Sequence, residues 1–87
     1  MFYLPIIREH DFEAFRKIMG SHLAYTYDGW LKLGAEWRAD PELQPFIEVE
    51  IDPDPFKRFI VGEGNNPDIN ALSKFATLLG KNKAGTP

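Results

Sequence analysis

The sequence predicts an α+β domain of order βααβαα, and three observations carry that prediction. Residues 46–52 alternate strictly, with Ile47, Val49 and Ile51 to one side and Glu48 and Glu50 to the other, the period of a half-buried strand. At Asp52 the period lengthens at once, and Phe56, Phe59 and Ile60 follow at helical spacing. A matching switch near Arg8 ends a first apolar run, Phe2 to Ile7.

Taken in order, Phe2–Ile7 reads as a strand rich in aromatic and β-branched residues. Pro5 has no N–H to donate, so this strand is expected at a sheet edge. His10 or Asp11 then caps a helix with Phe12, Phe15, Ile18 and Met19 on one stripe, which Gly20 ends. Thr26 is the N-cap expected for a second helix to about Arg38, with Tyr27, Trp30, Leu31, Gly34 and Trp37 on its stripe. Asp40-Pro41 stops it, and Pro45 leads into the second strand. Asp54 is expected to cap the third helix, 54–61, with Pro55 as its first residue. The glycine- and asparagine-rich loop GEGNNPD follows, and Asn66 or Asp68 caps a last helix whose inward stripe is Ile69, Leu72, Phe75, Ala76 and Leu79. Gly80 is expected to end it, giving a single domain over 1–80 and a flexible tail over 81–87.

Sliding the chain by 44 residues places Phe2 on Phe46, Ile7 on Ile51, Phe12 on Phe56, Phe15 on Phe59 and Gly20 on Gly64. Read as an internal repeat, this gives a pseudo-two-fold with a two-stranded antiparallel sheet and the four helices on one face. The same register puts Tyr3, Pro5 and Ile7 with the inward set Ile47, Val49 and Ile51. Phe2, Leu4 and Ile6 then join Phe46, Glu48 and Glu50 on the face away from the helices. A two-stranded sheet is marginal in water, and three apolar side chains on its open face form an adhesive patch. Either a second copy covers that patch, making a homodimer, or a helix or loop of the same chain does.

Composition narrows the function classes. With 87 residues, 44% of them hydrophobic, the chain supports one modest core. The absence of cysteine removes disulfides, thiolate metal sites and a cysteine nucleophile. FYLPII lacks the basic flank and cleavage site of a signal peptide, and no apolar run approaches the ~20 residues that cross a bilayer. A soluble cytoplasmic protein with no membrane association is the expectation. The net charge of −3, without a basic block, speaks against nucleic acid as a partner.

Chemistry-bearing patterns are few. Glu48, Glu50 and Asp52 alternate along the strand and its exit, so their oxygens could present to a hard cation, but a solvated strand face explains them as well. His10 and His22 have no partner at ligand or triad spacing. GEGNNP lacks the Gly-Lys-Ser/Thr of a phosphate loop and the third glycine of the dinucleotide fingerprint. No cofactor is expected. Tyr27, Trp30 and Trp37 form an aromatic row, with Trp30 expected in the core, Gly34 admitting a neighbouring helix and Trp37 the more exposed.

From Phe56 to Gly80 the chain resembles the end of a phage-repressor-type helix-turn-helix domain. A glycine-containing turn and a proline lead there into L-x-x-[FI]-A-x-x-L-G, matched by Leu72, Phe75, Ala76, Leu79 and Gly80. The resemblance implies DNA binding, through Lys57, Arg58, Lys74, Lys81 and Lys83. It covers only the last third of the chain, and a strand and two prolines stand where a scaffold helix belongs. The leading reading is a small non-enzymatic protein-interaction module that self-associates, with Phe2, Leu4, Ile6 and Phe46 as the association surface and Trp37 as a partner contact. The alternatives are the DNA-binding regulator and a small metal- or ligand-binding protein or enzyme using Glu48 and Glu50.

Overall fold

The computed structural model describes residues 1–84, with side chains to residue 82. Strand β1 (Phe2–Ile6) and strand β2 (Phe46–Glu50) form the sheet, and helices α1 (Phe12–Met19), α2 (Tyr27–Ala39), α3 (Pro53–Glu63) and α4 (Ile69–Ala84) complete the order βααβαα. The strands run parallel, with Phe2 opposite Phe46, Leu4 opposite Glu48 and Ile6 opposite Glu50. This corrects the expected antiparallel sheet. An antiparallel pair keeps the sum of partner numbers constant, whereas a parallel pair keeps the difference, and here every pair differs by 44 residues.

The helices also divide between the two faces rather than sharing one. Side chains alternate along a strand, so Tyr3, Pro5, Ile7, Val49 and Ile51 face α1, α3 and α4. Ile7, Val49, Ile51, Phe15, Phe56, Leu72 and Ala76 are all buried in that main core. The tilted rings of Phe15 and Phe56 meet at 5.6 Å and those of Phe59 and Phe75 at 4.9 Å, tying α1 to α3 and α3 to α4. Each fully buried side chain of this size contributes roughly 1.5–3 kcal/mol. The opposite face is covered by α2, but only over β1. Leu4 and Ile6 share a small cavity with Trp30 and Gly34, and Phe2 meets Trp37 edge-on at 6.1 Å. Helix α2 thus sits on the apolar half of that face and leaves the acidic half of β2 uncovered. Gly34 accordingly faces β1, and not another helix.

Local chemistry explains the boundaries. The Thr26 side chain accepts from the Gly29 N–H at 3.1 Å, as its capping position requires. Asp11 stands at the start of α1, but its carboxylate is held by Arg8 at 3.0 Å instead of capping. Helix α3 begins at Pro53 with Asp52 as its N-cap residue, two residues earlier than Asp54-Pro55 suggested, because Pro53 is itself suited to the first helical position. Gly64 closes α3 in the left-handed region at φ 66°, and the Asn65 N–H reaches the Ile60 carbonyl at 3.2 Å. Asp68 caps α4, its carboxylate accepting from the Ala71 N–H at 2.9 Å, and Asn66 does not take that role.

Gly80 does not end α4, which continues to Ala84. The glycine is buried against Tyr3, and a β-carbon there would overlap the Tyr3 ring. Close approach of α4 to β1 is what requires it. The stretch read as a tail therefore begins inside the helix, and 85–87 lie outside the described residues.

Candidate functional site

The ladder bonds give the sheet two unlike edges. Phe2 donates to the Pro45 carbonyl at 3.1 Å, and Ile51 donates to the Ile6 carbonyl at 3.0 Å. In a parallel ladder these bonds alternate, so Phe2, Leu4 and Ile6 turn their backbone groups toward β2 while Tyr3, Pro5 and Ile7 turn theirs away. Pro5 thus lies where its missing N–H would have faced outward, and costs the ladder nothing. The Ile7 carbonyl on the same side accepts from the Tyr27 hydroxyl at 3.0 Å. The outer edge of β1 is thus interrupted at Pro5 and occupied at Ile7.

The outer edge of β2 is open. Phe46, Glu48 and Glu50 direct their N–H and C=O groups away from β1, and among the described residues no third strand pairs with them. Beside this edge the acidic face is exposed, and the core-side face is exposed at Ile47 while Val49 is buried. Ile47, expected inward, is 43% exposed because α4 makes its close approach over β1. Glu48 and Glu50 project on the other face with side chains 54% and 63% exposed.

Two arginines attend these acids. Arg38 Nε lies 3.4 Å from Glu48 Oε1, at the end of α2. Arg8 binds Asp11 and Asp52 and reaches Glu50 at 3.9 Å. Arg8 and Asp52 occupy equivalent places after the two strands, which the parallel register brings side by side. The hydrogen bond with Asp11 raises the Arg8 pKa above its ordinary value, so Arg8 stays charged throughout the working range. The acidic row is therefore an ion-pair row. Among the described residues no group of three or more His, Asp or Glu could hold a metal ion, Glu48, Glu50 and Asp52 included.

The expected association residues do not form one exposed surface. Leu4 is buried, at 1% exposure, beneath α2. Phe2, Ile6, Trp37 and Phe46 are half-buried. Phe2 and Trp37 touch, Phe46 is the register partner of Phe2, and Trp30 lies in the core against Trp37 at 5.8 Å. An aromatic corner results at the start of the sheet. Sequence reasoning could find its members but not α2 lying across them.

The remaining candidates are dispersed. His10 is exposed and 3.6 Å from Asp11, and His22 is exposed in the turn after α1. Lys57 and Arg58 are exposed on α3, and Lys74 and Lys81 on α4, while the Lys83 side chain lies outside the described residues. A shallow groove between α1 and α3 is lined by Lys17, Ile18, Lys57, Ile60, Val61 and Pro67. Among the described residues no helix is long and apolar enough to cross a membrane. Comparison with protein-family models, with curated proteins and with solved structures found no match for this chain.

Proposed function

We propose that the chain is a small non-enzymatic protein-interaction module of the cytoplasm that self-associates as a homodimer. The observation that carries this reading is the aromatic corner of Phe2, Trp37 and Phe46, half-buried and adjoining the uncovered start of β2. Large aromatics desolvated at the centre of a contact supply most of its energy, and the ion pairs beside them suit a rim. Leu4, buried inside the chain, drops out of the contact surface, which leaves Phe2, Ile6, Phe46 and Trp37, with the exposed Ile47 on the other side of the β2 edge.

Sedimentation equilibrium over a wide concentration range tests the reading. A dimer is expected, converted to monomer by Phe46→Asp and by Ile47→Asp with an unchanged circular dichroism spectrum. A chain that remains monomeric at the highest concentration overturns it.

A further inference from the structure

We infer that the outer edge of β2 accepts an extended segment of another protein, whose residues alternate between Lys or Arg and aliphatic side chains, as a third strand of the sheet. This rests on reading the chain as an interaction module, but not on its self-association. The backbone supplies the attachment. Phe46, Glu48 and Glu50 offer outward N–H and C=O groups over a run without proline, whereas on the β1 edge Pro5 lacks a donor and the Ile7 carbonyl is taken by the Tyr27 hydroxyl. Added strands draw affinity from such main-chain bonds and specificity from alternate side chains.

The side chains beside the edge define the occupant. On one face the incoming residues meet Glu48 and Glu50, and on the other they meet the exposed Ile47, since Val49 is buried in the main core. Cross-strand neighbours lie about 5 Å apart, close enough for opposite charges and aliphatic pairs to act. The carboxylates of Asp11, Glu48, Glu50 and Asp52 outnumber the guanidinium groups of Arg8 and Arg38 among them, so the face retains negative charge. That charge disfavours pairing of this edge with the same edge of a second copy. Fully overlapped two-fold pairing of 46–50 with itself centres on Glu48 and sets that carboxylate against its own mate. Charges on an edge strand ordinarily prevent such self-pairing, and these do so while remaining complementary to a cationic strand.

The probe is a fluorescein-labelled heptapeptide, Lys-Val-Lys-Ile-Lys-Val-Lys, titrated against the full chain. Saturable binding is expected, with the amides of Phe46, Glu48 and Glu50 becoming protected from hydrogen exchange. N-methylation of one alternate set of peptide residues should abolish binding and methylation of the other set should not, since only one set bonds to the edge. Glu48→Gln/Glu50→Gln, folded by circular dichroism, should bind roughly tenfold more weakly. Three results overturn the inference: no binding at roughly millimolar peptide, binding without protection of those amides, or equal response to both methylation patterns. Sedimentation of the free chain separates the two proposals. A monomer that binds the peptide refutes only the homodimer, and a chain that dimerises yet ignores the peptide at dilutions where it sediments as monomer refutes only the added strand.

Discussion

Gly80 and Gly62 both lie inside helices, yet the same substitution is expected to act on them with opposite sign. Alanine is favoured over glycine in a helix by up to about 1 kcal/mol. At Gly62, in the last turn of α3, nothing stands within 4 Å of an added β-carbon, so Gly62→Ala keeps part of that gain. At Gly80 the β-carbon enters the Tyr3 ring, which then shifts and lifts α4 from β1. Overpacking of this kind costs roughly 1–3 kcal/mol, more than the propensity returns. Urea denaturation should show a lower midpoint for Gly80→Ala and an unchanged or higher one for Gly62→Ala. Tyr3→Leu should relieve part of the Gly80→Ala penalty, and a purely additive double mutant would contradict the contact. The sequence alone suggested a helix terminus at Gly80, because glycine after a periodic stripe reads that way and the Tyr3 contact lies 77 residues distant.

The strands were legible as elements because period-two alternation is local, and so was the partition of their side chains between faces. Their direction was not. A 44-residue offset between like residues suggests a repeat but carries no strand direction, and only the paired register, constant along the whole of Phe2–Ile6, shows the strands to be parallel. The helix covering Leu4 was equally hidden, since α2 is apolar through Trp30 and Trp37 and its stripe does not say which surface it meets. The acidic row on β2 was visible, while its arginines came from Arg8 and Arg38, placed by the fold. Those glutamates guard the open edge. Replacing both with valine leaves an apolar strand, Phe-Ile-Val-Val-Val, without charge or proline, the pattern prone to edge-to-edge association. Light scattering should therefore rise with time for Glu48→Val/Glu50→Val, while Glu48→Lys/Glu50→Lys stays dispersed. Equal behaviour of the two variants would remove the guarding role.

Across the whole molecule, each half of the chain contributes one strand followed by two helices, and neither half holds a strand pair of its own. The main core is shared in the same way, with Phe15 of the first half against Phe56 of the second, and Gly80 of the second against Tyr3 of the first. A lone strand cannot satisfy its backbone, and a half of this size buries too little apolar surface to offset its conformational entropy. Fragments 1–44 and 45–87 should each lack a cooperative thermal transition and near-ultraviolet circular dichroism. Mixing them should restore both signals in a one-to-one complex, because the break falls in the turn before β2 and leaves both strands whole. The complex should dissociate on Phe15→Ala or Val49→Ala, which truncate opposite sides of the shared core. A fragment 1–44 that unfolds cooperatively alone would mean that the two halves are separate folding units resting against each other, and the sheet would then be a contact between them and not the joint that makes one domain.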